Sequence, residues 1–255
     1  MNNRIFIVLN LFFFIFNFIC CGRNHGSSIN TNEMDNTEID LIRENKISLN
    51  FNDTLPLGYT AMKESYPEFI DRFENNRVYF KDGSFIIYDD EEEKDFNTLL
   101  DNSSLKDMFY TEYIISDSLP NYLSDAGRSR NEEFFKKVYG KNAEEVSKKL
   151  TKIDWFGQML PFTTVNDEAK QLNRVAEELS AFPQYKEYLK SAGTYYWRKV
   201  RGANRLSAHS YGIAIDLGVN YSNYWKWDHP NAKEEDRISY KNRFPKKIVE
   251  RSIVV

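Results

Sequence analysis

Apolar and polar residues follow two different periods along this chain, and each period predicts a different kind of element. Between residues 76 and 90, the β-prone runs Val78–Phe80 and Phe85–Tyr88 flank Asp82-Gly83. An Asp-Gly pair favours the positive-φ geometry of a tight turn, so this stretch predicts a β-hairpin. The acidic run at 89–95 follows it and is more typical of a solvated loop than of a calcium site.

Helical periodicity is clearest between residues 165 and 182, where the apolar residues form one stripe and Pro183 follows as a stop signal. The stripe consists of Ala169, Leu172, Val175, Ala176 and Leu179. Residues 132–139 and 143–150 also have the character of helices. Strand and helix signals mixed in this way predict an α+β fold, with a small antiparallel sheet and flanking helices.

A strand with chemical interest is predicted at residues 213–219. Its odd positions are apolar and its even positions are small or acidic, so a strand here buries its odd face and turns Asp216 the other way, into a polar cleft. His209 lies an odd number of residues earlier, and strict alternation would send it to the opposite face. A break at Gly212 can reset the direction, and both side chains would then reach one ion.

A histidine and a carboxylate that converge supply two of the three protein ligands of a typical catalytic zinc site, which leaves a fourth position to water. The plainer alternative is that His209 is a loop residue and that Asp216 ends a strand. For an isolated pair the plainer interpretation is the commoner one. The residues around the pair therefore decide between the two.

Residues 207–216 read S-x-H-x-x-G-x-A-x-D, a motif of the zinc peptidases that include the VanY-type D-Ala-D-Ala carboxypeptidases and the phage L-Ala-D-Glu endolysins. The chain resembles this family over about residues 55–250, with further similarity at 125–128, 131–137 and 193–198. The resemblance implies a hedgehog/D-Ala-D-Ala peptidase-like fold. It also implies the motif's histidine and aspartate as zinc ligands, and peptidoglycan stem peptides as substrates.

Two more residues acquire roles from the resemblance. The family places a substrate-binding arginine after an aromatic residue on a strand, and Arg198 fits that place in the predicted strand 195–200. Its guanidinium suits a substrate carboxylate or a developing oxyanion, although a surface arginine is the alternative, and Arg201 and Arg205 are weaker candidates. Ser207 resembles the motif serine, which implies a hydrogen bond near the metal or to substrate; a plain turn residue is the alternative.

The chain departs from the family beyond the motif. There an acid-x-x-His pattern near the C terminus supplies the last zinc ligand and the general base. The only histidine after Asp216 is His229, which is close to the motif and has Lys226 three positions earlier, so it does not fit. We therefore expect a C-terminally incomplete domain over 47–255 with impaired hydrolysis. The alternatives are a non-catalytic cell-wall-binding lipoprotein and a truncated product without function.

The N terminus has the features of an export signal. A basic residue precedes the apolar run 5–19, which ends at Cys20-Cys21-Gly22. This is typical of a lipoprotein signal peptide over residues 1–21, with Cys21 as the preferred acylated residue and Cys20 as the alternative. An uncleaved membrane anchor is the other interpretation. We expect an exported lipoprotein attached to a membrane through its N-terminal lipid.

Composition limits the remaining possibilities. Lys and Arg number 34 against 38 Asp and Glu, and no basic block is present, so nucleic acid is not an expected partner. The two cysteines both fall in the signal region, which leaves the exported part without a disulfide framework. Residues 22–46 are polar and without apolar period, and they predict a flexible tether between the membrane and the domain.

Overall fold

The computed structural model describes residues 55–110, 127–221, 229–233, 236, 245 and 248. The predictions for residues 1–46 lie outside this part of the chain. The helices are α1 (Leu57–Ser65), α2 (Phe96–Asp101), α3 (Glu132–Tyr139), α4 (Ala143–Ser147) and α5 (Glu168–Ser180). The strands are β1 (Ile70–Glu74), β2 (Arg77–Phe80), β3 (Phe85–Ile87), β4 (Leu150–Trp155), β5 (Gln158–Thr163), β6 (Ser191–Gly193) and β7 (Asp216–Leu217). In these ranges no helix has the length and apolarity needed to span a membrane.

The sheets are small and antiparallel, which confirms the predicted α+β fold. One has the strand order β1-β2-β3, and two further pairs join β4 with β5 and β6 with β7. The predicted hairpin is β2 and β3, in which Tyr79 is the partner of Phe85. Gly83 in its turn has a φ of 85°, the positive value that the Asp-Gly pair predicts.

The predicted helices are present, with two corrections at their ends. The prediction for 165–182 becomes a 3-10 turn at Val165–Asp167 followed by α5, whose apolar stripe is buried as expected. The prediction for 143–150 is wrong at its C-terminal end, because α4 stops at Ser147 and Leu150 begins β4. Leu150 pairs with Thr163 at the end of a six-pair ladder, and this pairing outweighs its helical propensity.

Two clusters of buried apolar side chains form the core, and the motif segment contributes to both. The first cluster packs α1, the three-stranded sheet and α3 against Tyr211, Ile213 and Ala214. The second packs β4, β5 and α5 against Ile215 and Leu217. The chain that carries the motif therefore runs from one core into the other, which holds the site on packed elements at both ends.

The acidic run is only partly the solvated loop that its composition predicts. Glu91–Glu93 are exposed. Lys94, whose side chain is 2% exposed, forms ion pairs with Asp90 and Asp107. An ammonium group of the chain itself thus lies between two carboxylates and fixes this loop to the segment that follows α2.

Candidate metal centre

The motif folds into a tight turn followed by a reversal of direction at Gly212. Ala208–Tyr211 form a single 3-10 turn, and Gly212 after it has a φ of 69°. The positive φ favours glycine here, and a Cβ at this position would lie 2.5 Å from Leu150 Cδ2, so the leucine side chain would have to shift. The Gly212 carbonyl accepts a hydrogen bond from the Thr163 amide, which attaches the turn to β5.

This reversal brings His209 and Asp216 together. The distance from His209 Nε2 to Asp216 Oδ1 is 3.2 Å, and the two side chains are 4% and 7% exposed. One part of the prediction is wrong: β7 covers only Asp216–Leu217, and residues 213–218 are buried on both faces. Asp216 therefore lies inside the core rather than in an open polar cleft, because the segment is packed between the two clusters.

The other ring nitrogen of His209 fixes its tautomer. Nδ1 lies 2.8 Å from the carbonyl oxygen of Thr194, and since a carbonyl only accepts, Nδ1 must carry the hydrogen. In the neutral ring Nε2 then presents a lone pair toward Asp216 Oδ1. That oxygen is buried and has no hydrogen-bond partner among the described residues. Two acceptors so placed repel each other unless a proton or a metal cation lies between them.

The pair fits two ligands of a zinc ion. Zinc binds nitrogen and carboxylate oxygen at about 2.0–2.2 Å in tetrahedral geometry, which places neighbouring ligand atoms about 3.3–3.5 Å apart. The distance between His209 Nε2 and Asp216 Oδ1 is 3.2 Å. A ligating histidine normally donates its other N–H to a carbonyl or carboxylate, and the Thr194 carbonyl has this role here.

A third ligand does not join the pair within the part of the chain that the structure describes. No three His, Cys, Asp or Glu side chains there lie close enough to hold one metal ion. His229 is exposed and is not grouped with His209 and Asp216. The role of these two residues as metal ligands stays a prediction.

The strand predicted at 195–200 is not formed. Lys199 and Leu206 make one isolated bridge, and the rest of the segment is irregular. Its backbone nevertheless lies along the motif turn: the Tyr196 amide donates to the His209 carbonyl, and the Ser207 amide donates to the Arg198 carbonyl. A ladder does not form because the partner is a 3-10 turn, which does not repeat its hydrogen-bonding groups at the spacing of a strand.

Ser210 has a structural role that no sequence pattern predicts. It is fully buried, and its Oγ accepts a hydrogen bond of 2.9 Å from the Arg198 amide and donates one of 2.7 Å to the Arg198 carbonyl. One hydroxyl thus supplies the two bonds that a neighbouring strand would have made. No periodic signal marks a serine in this role, since its partners are backbone groups from a segment twelve residues earlier.

The remaining candidates occupy different surroundings. Arg198 is half-buried beside the turn, and Ser207 is buried at the start of the turn without a side-chain capping bond. Arg205 forms an ion pair with Asp101, and Arg201 is exposed. The Arg198 amide and carbonyl both bond to residues of the motif segment.

A buried carboxyl lies on the α3 side of the motif turn. Glu168 is 2% exposed and accepts a hydrogen bond of 2.6 Å from the Tyr139 hydroxyl, which in turn lies 2.9 Å from the Tyr66 hydroxyl. Burial raises the pKa of Glu168 to about 8. The Tyr139 ring also contacts the ring of Tyr211, so this network adjoins the turn that carries His209.

One comparison with known proteins finds a match. Residues 201–251 match the family model described as D-alanyl-D-alanine carboxypeptidase, and the matched segment includes His209 and Asp216. No curated protein and no solved structure gives a significant match. The match supports similarity to this carboxypeptidase family in the segment that carries the motif.

Proposed function

We propose that this protein is a zinc-dependent peptidase of the D-alanyl-D-alanine carboxypeptidase type that acts on peptidoglycan stem peptides. The observation that carries the proposal is the close approach of His209 Nε2 and Asp216 Oδ1, which are buried and 3.2 Å apart, a spacing that suits two ligands of one zinc ion. The carboxypeptidase-family match over residues 201–251 supports the same conclusion from sequence.

Each residue of the site has a distinct task in this chemistry. His209 and Asp216 would hold zinc, and the Thr194 carbonyl keeps the imidazole in the tautomer that leaves Nε2 for the metal. When bound, zinc supplies a Lewis acid and activates water. Arg198 would bind the terminal carboxylate of the substrate or the developing oxyanion, and Ser207 would add a hydrogen bond at the start of the turn. The reaction further requires a third ligand and a general base.

The N-terminal sequence supports a location that matches this substrate. Peptidoglycan lies outside the cytoplasmic membrane, and a signal peptide over 1–21 with acylation at Cys21, or at Cys20, would export and anchor the protein there. The tether at 22–46 would let the domain reach away from the lipid surface.

The metal proposal is tested on the purified full chain in detergent, loaded with zinc and then dialysed. We expect His209→Ala and Asp216→Ala each to abolish zinc binding, measured by elemental analysis and calorimetry. His229→Ala is the matched control, since it removes an exposed histidine outside the pair. Zinc retained by the His209→Ala/Asp216→Ala double variant would overturn the assignment of the ligands.

The activity is tested with a stem pentapeptide that ends in D-Ala-D-Ala, with release of D-Ala followed by mass spectrometry. We expect slow release, because no third ligand joins the pair among the described residues, and we expect a chelator to stop it and His209→Ala to abolish it, while His229→Ala keeps it. Binding of peptidoglycan by the zinc-loaded chain without any release would instead support a non-catalytic cell-wall-binding lipoprotein. Release that persists with the chelator would contradict the metal-dependent mechanism.

A further inference from the structure

Ser210 connects the segment that carries Arg198 to the turn that carries His209. We infer that it is a positioning residue that fixes Arg198 relative to the turn carrying His209, an assignment that rests on the proposed function. The hydroxyl is fully buried and bridges both backbone groups of Arg198, with 2.9 Å to its nitrogen and 2.7 Å to its oxygen.

The segment that carries Arg198 is attached to the motif turn through Thr194, Tyr196 and Arg198 itself. The Thr194 carbonyl meets His209 Nδ1, the Tyr196 amide meets the His209 carbonyl, and Arg198 meets Ser210 Oγ. The first two attachments come from His209 and from the backbone. The third depends on the side chain of Ser210, so it can be removed without touching a metal ligand.

Only a small hydroxyl suits position 210. Serine both accepts and donates with a single oxygen, as the Arg198 amide and carbonyl require. Alanine would remove the acceptor of the Arg198 amide, while the Arg198 carbonyl would keep its bond from the Ser207 amide. The variant therefore loses the bond to the Arg198 amide while a bond to the Arg198 carbonyl remains. This makes the backbone that carries the guanidinium side chain less restrained.

A small displacement there has a large effect if Arg198 contacts the substrate. Bidentate recognition of a carboxylate or oxyanion depends on placement, and an error of about 1 Å costs on the order of 100-fold in rate. We expect Ser210→Ala to lower kcat/KM for the stem pentapeptide by about 10- to 100-fold and to leave zinc affinity within about threefold of the wild type.

The control for folding is Ser103→Ala. Ser103 is 6% exposed, and its hydroxyl also donates to a backbone carbonyl, that of Leu99 in α2, and not to the segment that carries Arg198. The two variants remove the same atom from a buried serine, so a loss of stability alone would affect both. We expect Ser103→Ala to keep the wild-type kcat/KM.

The test combines amide exchange with a double-mutant cycle. Hydrogen exchange at the Arg198 amide, followed by NMR, should accelerate about tenfold in Ser210→Ala and not in Ser103→Ala. In an Arg198→Ala background, Ser210→Ala should cause no further loss of kcat/KM, because both changes remove one function.

Each result has a defined meaning. Equal kcat/KM in Ser210→Ala and Ser103→Ala would overturn the role of Ser210 while the proposed function stands, as would additive losses with Arg198→Ala. A wild-type chain that neither binds zinc nor releases D-Ala would overturn the proposed function, and this assignment with it.

Discussion

His209 donates its Nδ1 hydrogen to the carbonyl oxygen of Thr194 across 2.8 Å, and this contact decides which nitrogen meets Asp216. A backbone carbonyl can only accept, so the ring is held in the tautomer that turns the nitrogen without a hydrogen, Nε2, toward Asp216. Nε2 then lies opposite the carboxylate oxygen of Asp216 in a buried setting. A buried nitrogen and a buried carboxylate oxygen at this spacing need a proton or a cation between them, and a bound metal ion would supply the cation.

The Asp216→Asn variant tests zinc binding and the stability of the metal-free protein separately. The amide that replaces the carboxylate can donate to His209 Nε2, so the repulsion between two acceptors becomes a hydrogen bond. We expect the metal-free variant to be about 1 kcal/mol more stable than the wild type by denaturant unfolding. Zinc affinity should fall more than about 100-fold. A variant that loses both zinc and stability would show that a proton, rather than repulsion, joins the two side chains in the metal-free wild type.

Much of the fold could be predicted because its signals are local. The Asp-Gly turn predicts the hairpin of β2 and β3, and the apolar stripe of α5 predicts which face is buried. The end of α4 could not be predicted, because Leu150 takes its strand conformation from pairing with Thr163 on the next strand and not from its own local sequence. The predicted strand at 195–200 failed since its partner is a turn that no local pattern indicates.

The candidate site divides in the same way. His209 and Asp216 could be predicted to converge, because the motif places Gly212 between them and glycine permits the reversal. The roles of Thr194 and Ser210 could not, because each acts through backbone groups that have no signature in sequence. The burial of Asp216 could not be predicted either, because the alternation of apolar and polar residues does not show that both faces of the segment are packed.

Gly212→Ala tests how strictly the reversal requires glycine. The new methyl would meet Leu150 Cδ2 at 2.5 Å, and the φ of 69° is itself unfavourable for alanine. Overpacking costs about 1–3 kcal/mol and the left-handed conformation about 1–2 kcal/mol, so we expect a loss of about 2–5 kcal/mol of unfolding free energy. Denaturant unfolding in the presence and absence of zinc measures it.

Gly202→Ala is the matched control for that variant. Gly202 has a φ of 78°, close to that of Gly212, but nothing lies within 4 Å of the position of a Cβ. It should therefore show the conformational cost alone, about 1–2 kcal/mol. Equal losses in the two variants would show that Leu150 moves aside without cost.

The lipid anchor is tested by replacing both cysteines. We expect the wild-type chain, expressed in a bacterial host, to partition into the detergent phase on Triton extraction, and the Cys20→Ser/Cys21→Ser variant to move to the aqueous phase. Single replacements identify the acylated residue, with Cys21→Ser expected to act like the double variant. A wild type found only in the aqueous phase would rule out acylation.

Because Glu168 is buried, we expect the stability of the protein to fall as the pH rises. Burial raises its pKa from its usual value near 4.5 to about 8, so between these values the folded protein holds a proton that the unfolded chain has released. The contribution of Glu168 is therefore fully present below about pH 4.5 and is lost as the pH rises through about 8. The total is on the order of 3–5 kcal/mol of unfolding free energy.

Glu168→Gln should remove this dependence on pH, because the amide stays neutral, while Glu177→Gln on the exposed side of α5 should retain it. Denaturant unfolding at pH 5, 6.5 and 8.5 compares the three proteins. A wild type with the same slope as Glu168→Gln would show that the buried carboxyl is ionised throughout.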